Sequence, residues 1–200
     1  MISIAVLCSG SGTNLQAIID NVKSGYIPAK IVLVVSDKKE AFALERANKA
    51  GIETIALDKK DYKSREDFDK ELIKHLKKRD IGLVVLAGFM RLLSGHFIKE
   101  YKNKIINIHP ALLPSFKGTQ GVKDALDNGV KVTGVTIHFV DEHLDNGPII
   151  LQKCVDIKDD DTEESLLKRV HKEEHKIYPE AIKLFVEGKL KVEGRKVVKK

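Results

Sequence analysis

The chain has 200 residues, 42% of them hydrophobic and 32% charged, with a formal net charge of +6; that apolar content excludes a disordered chain, and the length suits one large domain or two small ones. The charge is unevenly placed: residues 189–200 hold six bases (Lys189, Lys191, Arg195, Lys196, Lys199, Lys200) against Glu193, so residues 1–188 keep 29 bases and 28 acids, a net of +1. A body so close to neutral excludes a broad cationic face for nucleic acid.

Ile2–Cys8 reads as a buried strand, and Met1 leads into it without the basic segment or cleavage site of a secretory signal. The polar, Gly-rich stretch Ser9–Thr13 follows, then a helix over Asn14–Lys23 with Leu15, Ile18, Ile19 and Val22 at helical spacing. Ile31–Val35 is a second strand, Ala41–Ala50 a helix stopped by Gly51, and Glu53–Leu57 a short strand. Ser64–Lys78 places Phe68, Leu72, Ile73 and Leu76 on one face beneath a charged one, the pattern of an amphipathic helix. Ile81–Ala87 is the most apolar strand, and the apolar run Ile81–Met90 is too short for a bilayer, which needs about 20 residues. Continuous apolar strands separated by helices imply a parallel sheet covered on both faces.

The second half changes character. Lys104–His109 is a strand ended by Pro110, and Val130–Val140 with Pro148–Ile157 predicts an antiparallel hairpin. Thr162–Glu187 is a long helix with Thr162 as its N-cap, and Pro179 should kink or divide it. The expected fold is α/β and Rossmann-like: a mostly parallel twisted sheet with helices on both faces, and an antiparallel hairpin plus long helix in the C-terminal half. One domain spans residues 1–188, and 189–200 form a basic tail. Cys8 and Cys154 lie far apart with no C-x-x-C pair, so neither a disulfide framework nor a zinc site is indicated and a reducing cytoplasm fits.

Three segments could carry chemistry. Cys8-Ser9-Gly10-Ser11-Gly12-Thr13-Asn14 joins a strand to a helix, where backbone amides can bind a phosphate. The plainer reading is a tight turn with Thr13 or Asn14 as N-cap. Leu15 stands where the dinucleotide fingerprint needs its third glycine, so a mononucleotide or sugar phosphate fits better than NAD. In Asn107-Ile108-His109-Pro110, residues two apart face the same way, so Asn107 and His109 project together at a strand's carboxyl end while Ile108 enters the core. An amide beside an imidazole suits acyl transfer, one polarising a carbonyl and the other moving a proton; a structural pair at a strand end is the alternative. Asp141-Glu142-His143-Leu144-Asp145-Asn146-Gly147-Pro148 is either turn chemistry or the source of a carboxylate that raises the pKa of a nearby imidazole.

The other histidines carry less. His75 and His96 read as surface residues, and His138, in a β-branched strand, is packed or exposed. His171 and His175, four apart, share a helix face as metal ligands would, but no third ligand is evident.

Five motifs in order resemble the folate-dependent formyltransferases, and among them the phosphoribosylglycinamide formyltransferase family. They are Ser9–Asn14, Ala87-Gly88-Phe89-Met90-Arg91, Asn107–Pro114, Gly134–Val140 continuing through Leu144–Ile150, and Glu174-His175-Lys176-Ile177-Tyr178-Pro179. The resemblance runs from Ile4 to about Gly188.

It implies transfer of a formyl group from 10-formyltetrahydrofolate, as cosubstrate, to the amine of glycinamide ribonucleotide in purine biosynthesis. By that resemblance Gly12, Thr13 and Asn14 hold the phosphate, while Glu174, with His171, contacts the acceptor. Arg65, Met90, Arg91, Leu92 and Leu93 line the folate site, with Asp141 to Asp145 as its other wall. Asn107 donates to the formyl oxygen, His109 moves the proton, and Asp145 raises the pKa of His109. No metal, covalent intermediate, nucleic acid or membrane enters, and the chain is expected as a cytoplasmic monomer or homodimer. Gln120 stands where the family usually has a histidine or other polar residue, and His171 where relatives often have Gln. Alternatives are another folate-dependent formyltransferase or deformylase, of the methionyl-tRNA type, or a nucleotide-binding α/β module.

Overall fold

Consecutive side chains of a strand point to opposite faces, so a strand buried at every position is covered on both sides. Strand β1 (Ile2–Cys8) is buried from Ile4 onward, and its later neighbour β4 (Leu83–Leu86) throughout. In the computed structural model, which describes residues 1–200, β1 lies between β4 and β2 (Ala29–Ser36), and β3 (Glu53–Ala56) pairs with β2. All three pairings are parallel, and the order β3-β2-β1-β4 is that of a Rossmann-like half. These strands belong to the first of two compact units, Met1–Ile106.

The connecting helices are α1 (Thr13–Lys23), α2 (Phe42–Lys49), α3 (Arg65–Lys77) and α4 (Gly95–Glu100). Ser64 and Ser94 cap α3 and α4 by accepting the amides of Asp67 (3.1 Å) and Phe97 (3.3 Å). At α1 the expected side-chain cap is absent. Gly12 holds the N-cap position in a left-handed conformation, and Thr13 is already the first helical residue.

The second unit is Asn107–Lys200, and β5 (Ile105–His109) carries the chain across the boundary. Within it, β6 (Val132–Phe139) and β7 (Ile149–Asp156) form the predicted antiparallel hairpin, with a register shift between Ile137 and His138. Helix α6 (Glu163–Val186) packs on both strands and begins with the predicted Thr162 cap, reinforced by Ser165 in a reciprocal box.

Pro179 does not divide α6, which runs unbroken through it. A proline costs the helix one amide bond and crowds the previous turn; here Ile177 and Tyr178 before it and Ala181 and Ile182 after it are all buried, and that packing offsets the cost. Helix α5 (Gly121–Asp127) has no counterpart in the sequence reading. The basic C-terminal residues form a hairpin, β8 (Leu190–Glu193) with β9 (Lys196–Lys199), and β9 meets β7 in parallel at Ile149 and Lys196. No helix is long and apolar enough to cross a membrane.

Candidate active site

Strand alternation sets the geometry at the end of β5. Ile108 enters the core, and Asn107 and His109 turn to the other side. His109 is 3% exposed, and its two ring nitrogens meet two acceptors. Nε2 lies 2.8 Å from the Phe116 carbonyl, and Nδ1 lies 3.5 Å from Oδ2 of Asp145. A carbonyl oxygen only accepts, so Nε2 carries a hydrogen. Phe116 (φ 52°) and Asp145 (φ 45°) both adopt left-handed backbone, which non-glycine residues rarely hold without support from their surroundings.

That support is visible around Asp145. The Gly118 amide donates to Oδ2 at 2.8 Å. Asn146 next to it donates to Asp141 (3.3 Å), while its side-chain and backbone oxygens accept from Lys117 Nζ and Arg195 Nη2, both at 3.0 Å. Asp141 also accepts the His143 amide at 2.9 Å, so it acts as the turn-former of this loop. Gly147 follows, where a Cβ would lie 1.8 Å from the Phe139 carbonyl oxygen; only glycine lets the loop rejoin β7 there.

His138 completes the cluster and was not among the residues singled out from sequence. It is 2% exposed on β6, with Nε2 3.2 Å from Asn107 Nδ2 and 3.8 Å from Asp145 Oδ1. Its Nδ1 faces the Phe139 carbonyl at 2.8 Å, which requires a hydrogen on Nδ1. Nε2 is then the lone pair that receives the Asn107 amide, and the ring is neutral. Burial pushes its pKa down, in agreement. Asn107 thereby spends one amide hydrogen on His138 and keeps a second for a ligand oxygen. Signals for this role were the strand alternation of Thr136 and His138 and its place just before the Asp141–Gly147 loop; its partner Asn107 is 31 residues away and invisible locally.

The turn after His109 is pinned from β6 and β7. Thr136 Oγ1 donates to the Ala111 carbonyl (2.6 Å) and accepts the Leu113 amide (3.0 Å), and Gln152 donates to the Leu113 carbonyl (2.9 Å). Glu174 is buried on α6, with His171 Nε2 4.0 Å from its Oε2 and the ring of His175 6.4 Å from that of His171. Gln120 stands exposed at the start of α5 without a side-chain cap bond.

In the first unit, Gly12 has φ 71° and its carbonyl accepts the Gln16 amide (2.9 Å). Ser9 links this loop to the Gly88–Met90 segment: its amide donates to Gly88 O (3.0 Å), and its hydroxyl accepts from the Met90 amide (2.9 Å). Met90 and Leu92 are exposed at 64% and 56%, unusual for such apolar side chains. Arg91 stacks over Phe68 at 4.1 Å, Arg65 is half exposed beside Glu66, and Leu93 is buried. Burial raises the pKa of Asp69, which accepts the Ser94 amide close by.

A profile of the formyl transferase family matches residues 2–182. The chain belongs to that family. As a formyl transferase it is 45% identical to the phosphoribosylglycinamide formyltransferase of Escherichia coli, over 95% of this chain and 90% of that one. It is 50% identical to the solved glycinamide ribonucleotide transformylase 1 of Symbiobacterium toebii, with a TM-score of 0.98 over all of this chain and 94% of that one. The trifunctional purine biosynthetic protein adenosine-3 of Gallus gallus is 48% identical over 96% of this chain, which spans only 19% of that longer protein. The α/β, mostly parallel architecture with a C-terminal antiparallel hairpin and long helix is thus that of a Rossmann-like formyltransferase.

Proposed function

We propose that the chain moves the formyl group of 10-formyltetrahydrofolate onto the amine of glycinamide ribonucleotide, giving formylglycinamide ribonucleotide and tetrahydrofolate. The observation that carries this reading is the cluster of Asn107, buried His109 and Asp145, each held by hydrogen bonds or ion pairs to its neighbours. The family match and the names of the Escherichia coli and Symbiobacterium toebii relatives support the choice of reaction.

In this mechanism the acceptor amine attacks the formyl carbon, a new C–N bond forms, and the carbonyl oxygen gains negative charge. The second amide hydrogen of Asn107 and the Nε2 hydrogen of His109 stabilise that oxygen. The formyl oxygen therefore competes with the Phe116 carbonyl for His109. Collapse of the tetrahedral intermediate breaks the bond to N10 of the folate, and the proton lost by the attacking amine ends on that nitrogen. Asp145 orients the imidazole and faces the positive charge it carries during proton transfer.

Gly12, Thr13 and Asn14 supply the donors for the acceptor's phosphate, with Glu174 and His171 toward its glycinamide end. Arg65, Met90, Arg91, Leu92, Leu93 and Asp141 are assigned to the folate. No metal, nucleic acid or membrane takes part, and the reaction is a cytoplasmic one between two small molecules.

The test follows tetrahydrofolate release with glycinamide ribonucleotide, methionyl-tRNA or water as acceptor. The proposal expects turnover with the first alone; turnover with either of the others and none with the first would overturn it.

A further inference from the structure

Helix α2 holds the Ser9–Asn14 loop from behind through contacts that the reaction itself does not explain. The amide of Ala43 donates to the Gly10 carbonyl at 3.1 Å, and Arg46 Nε donates to the Ser11 carbonyl at 2.9 Å. Arg46 Nη1 also reaches Gln16 Oε1 at 3.2 Å, and the Gln16 amide takes the Gly12 carbonyl at 2.9 Å. Three successive loop carbonyls are thus occupied by protein donors. A peptide is planar and trans, so each carbonyl points opposite to the amide that follows it. Fixing the carbonyls of Gly10, Ser11 and Gly12 therefore fixes the directions of the amides of Ser11, Gly12 and Thr13.

Two further contacts make the clamp rigid. A Cβ on Gly12 would lie 2.7 Å from Ala43 Cβ and 2.8 Å from Ala43 Cα, so the loop already rests on α2 without a gap. The Arg46 guanidinium carbon lies 4.9 Å from the centre of the Phe42 ring, a cation–π contact that limits where its fork can point.

We infer that Arg46 is a positioning residue for phosphate recognition: by holding the Ser11 carbonyl, it presents the loop amides to the acceptor's phosphate. This rests on the reading of the loop as the phosphate site. A lysine could supply the charge but not the two directed bonds to Ser11 and Gln16.

The test measures kcat and KM with glycinamide ribonucleotide and with the same acceptor lacking its phosphate, for the parent, Arg46→Met, Arg46→Lys and Gly12→Ala. Arg46→Met keeps the apolar stem and removes the donors. It should raise KM for the phosphorylated acceptor about tenfold, the scale of one charge-assisted hydrogen bond. The kcat and the KM for the formyl donor should stay unchanged, as should kcat/KM for the acceptor without phosphate. Arg46→Lys should fall between the two, and it carries the same test if Arg46→Met does not fold. Equal losses on both acceptors, or a raised KM for the formyl donor, would overturn the assignment. Gly12→Ala separates the two levels. If it leaves the preference for the phosphorylated acceptor intact, the loop is not the phosphate site. If it abolishes that preference while the Arg46 variants retain it, the role of Arg46 alone falls.

Discussion

Replacing Asp145 by Asn isolates the contribution of one charge. The amide oxygen of Asn can still accept from the Gly118 amide, now 2.8 Å from Asp145 Oδ2, and Asn tolerates the left-handed backbone found at this position. What is lost is the negative charge 3.5 Å from His109 Nδ1, in a site where the Asp145 side chain is only 8% exposed. At that distance a unit charge pair interacts by about 5 kcal/mol for an effective dielectric of about 20. The dipole of the retained amide and residual water leave roughly half of that as a net loss, about 2–3 kcal/mol, or a fall in kcat of about 10²-fold. Steady-state transformylation kinetics, with KM measured for both substrates, read the effect directly. A kcat within about threefold of the parent would show that the carboxylate's charge plays no part in proton transfer, and Asp145 would be a turn residue only.

Asn107→Ala and His109→Ala should each lower kcat by about 10²-fold or more while the melting temperature changes little, a split checked by kinetics and calorimetry together. Gly147→Ala must move either β6 or the Asp145 loop to relieve a Cβ 1.8 Å from the Phe139 oxygen, so it should cost about 2–4 kcal/mol of stability in denaturant unfolding and much of the activity. Burial lowers the pKa of both His138 and His175, so the unfolded chain takes up protons there before the folded one does. Stability from these groups is present above the ordinary histidine range and lost as pH falls below about 6.5; His138→Gln should flatten part of that loss, and an unchanged pH dependence would refute the neutral assignment. Burial pushes the Cys8 thiol up to about 12, whereas Cys154 is exposed, so alkylation of the folded protein at neutral pH should add one group, on Cys154, by peptide mass spectrometry.

What could be read from sequence follows from how local each signal is. Strands β1, β2 and β4 announce themselves because they are largely buried on both faces, and their apolar runs are nearly continuous. Asn107 and His109 share a side because strand alternation is a two-residue rule. Helix α5 escaped because it is seven residues long, opens on Gly121 and has no side-chain cap. In the tail, Leu190 and Val192 alternate with Lys191 and Glu193 as in a strand, but six bases in twelve residues mask that weak pattern, and the contact of Lys196 with Ile149 spans a long stretch of chain. For the same reason His138 is not legible locally, since it stands 31 residues from Asn107; the Phe116 carbonyl is only seven residues from His109, but its direction is set by a left-handed backbone conformation that a phenylalanine does not signal. Pro179 shows the opposite limit. A strong local rule against it yields to the buried residues packed on either side.

The most direct test of the account uses a formyl donor labelled at the formyl carbon, with glycinamide ribonucleotide as acceptor, and mass spectrometry of the products. Transfer through Asn107, His109 and Asp145 predicts the label on the acceptor's amine, in step with tetrahydrofolate formed, and its loss in His109→Ala. Label recovered as free formate, or undiminished transfer by His109→Ala, would contradict it.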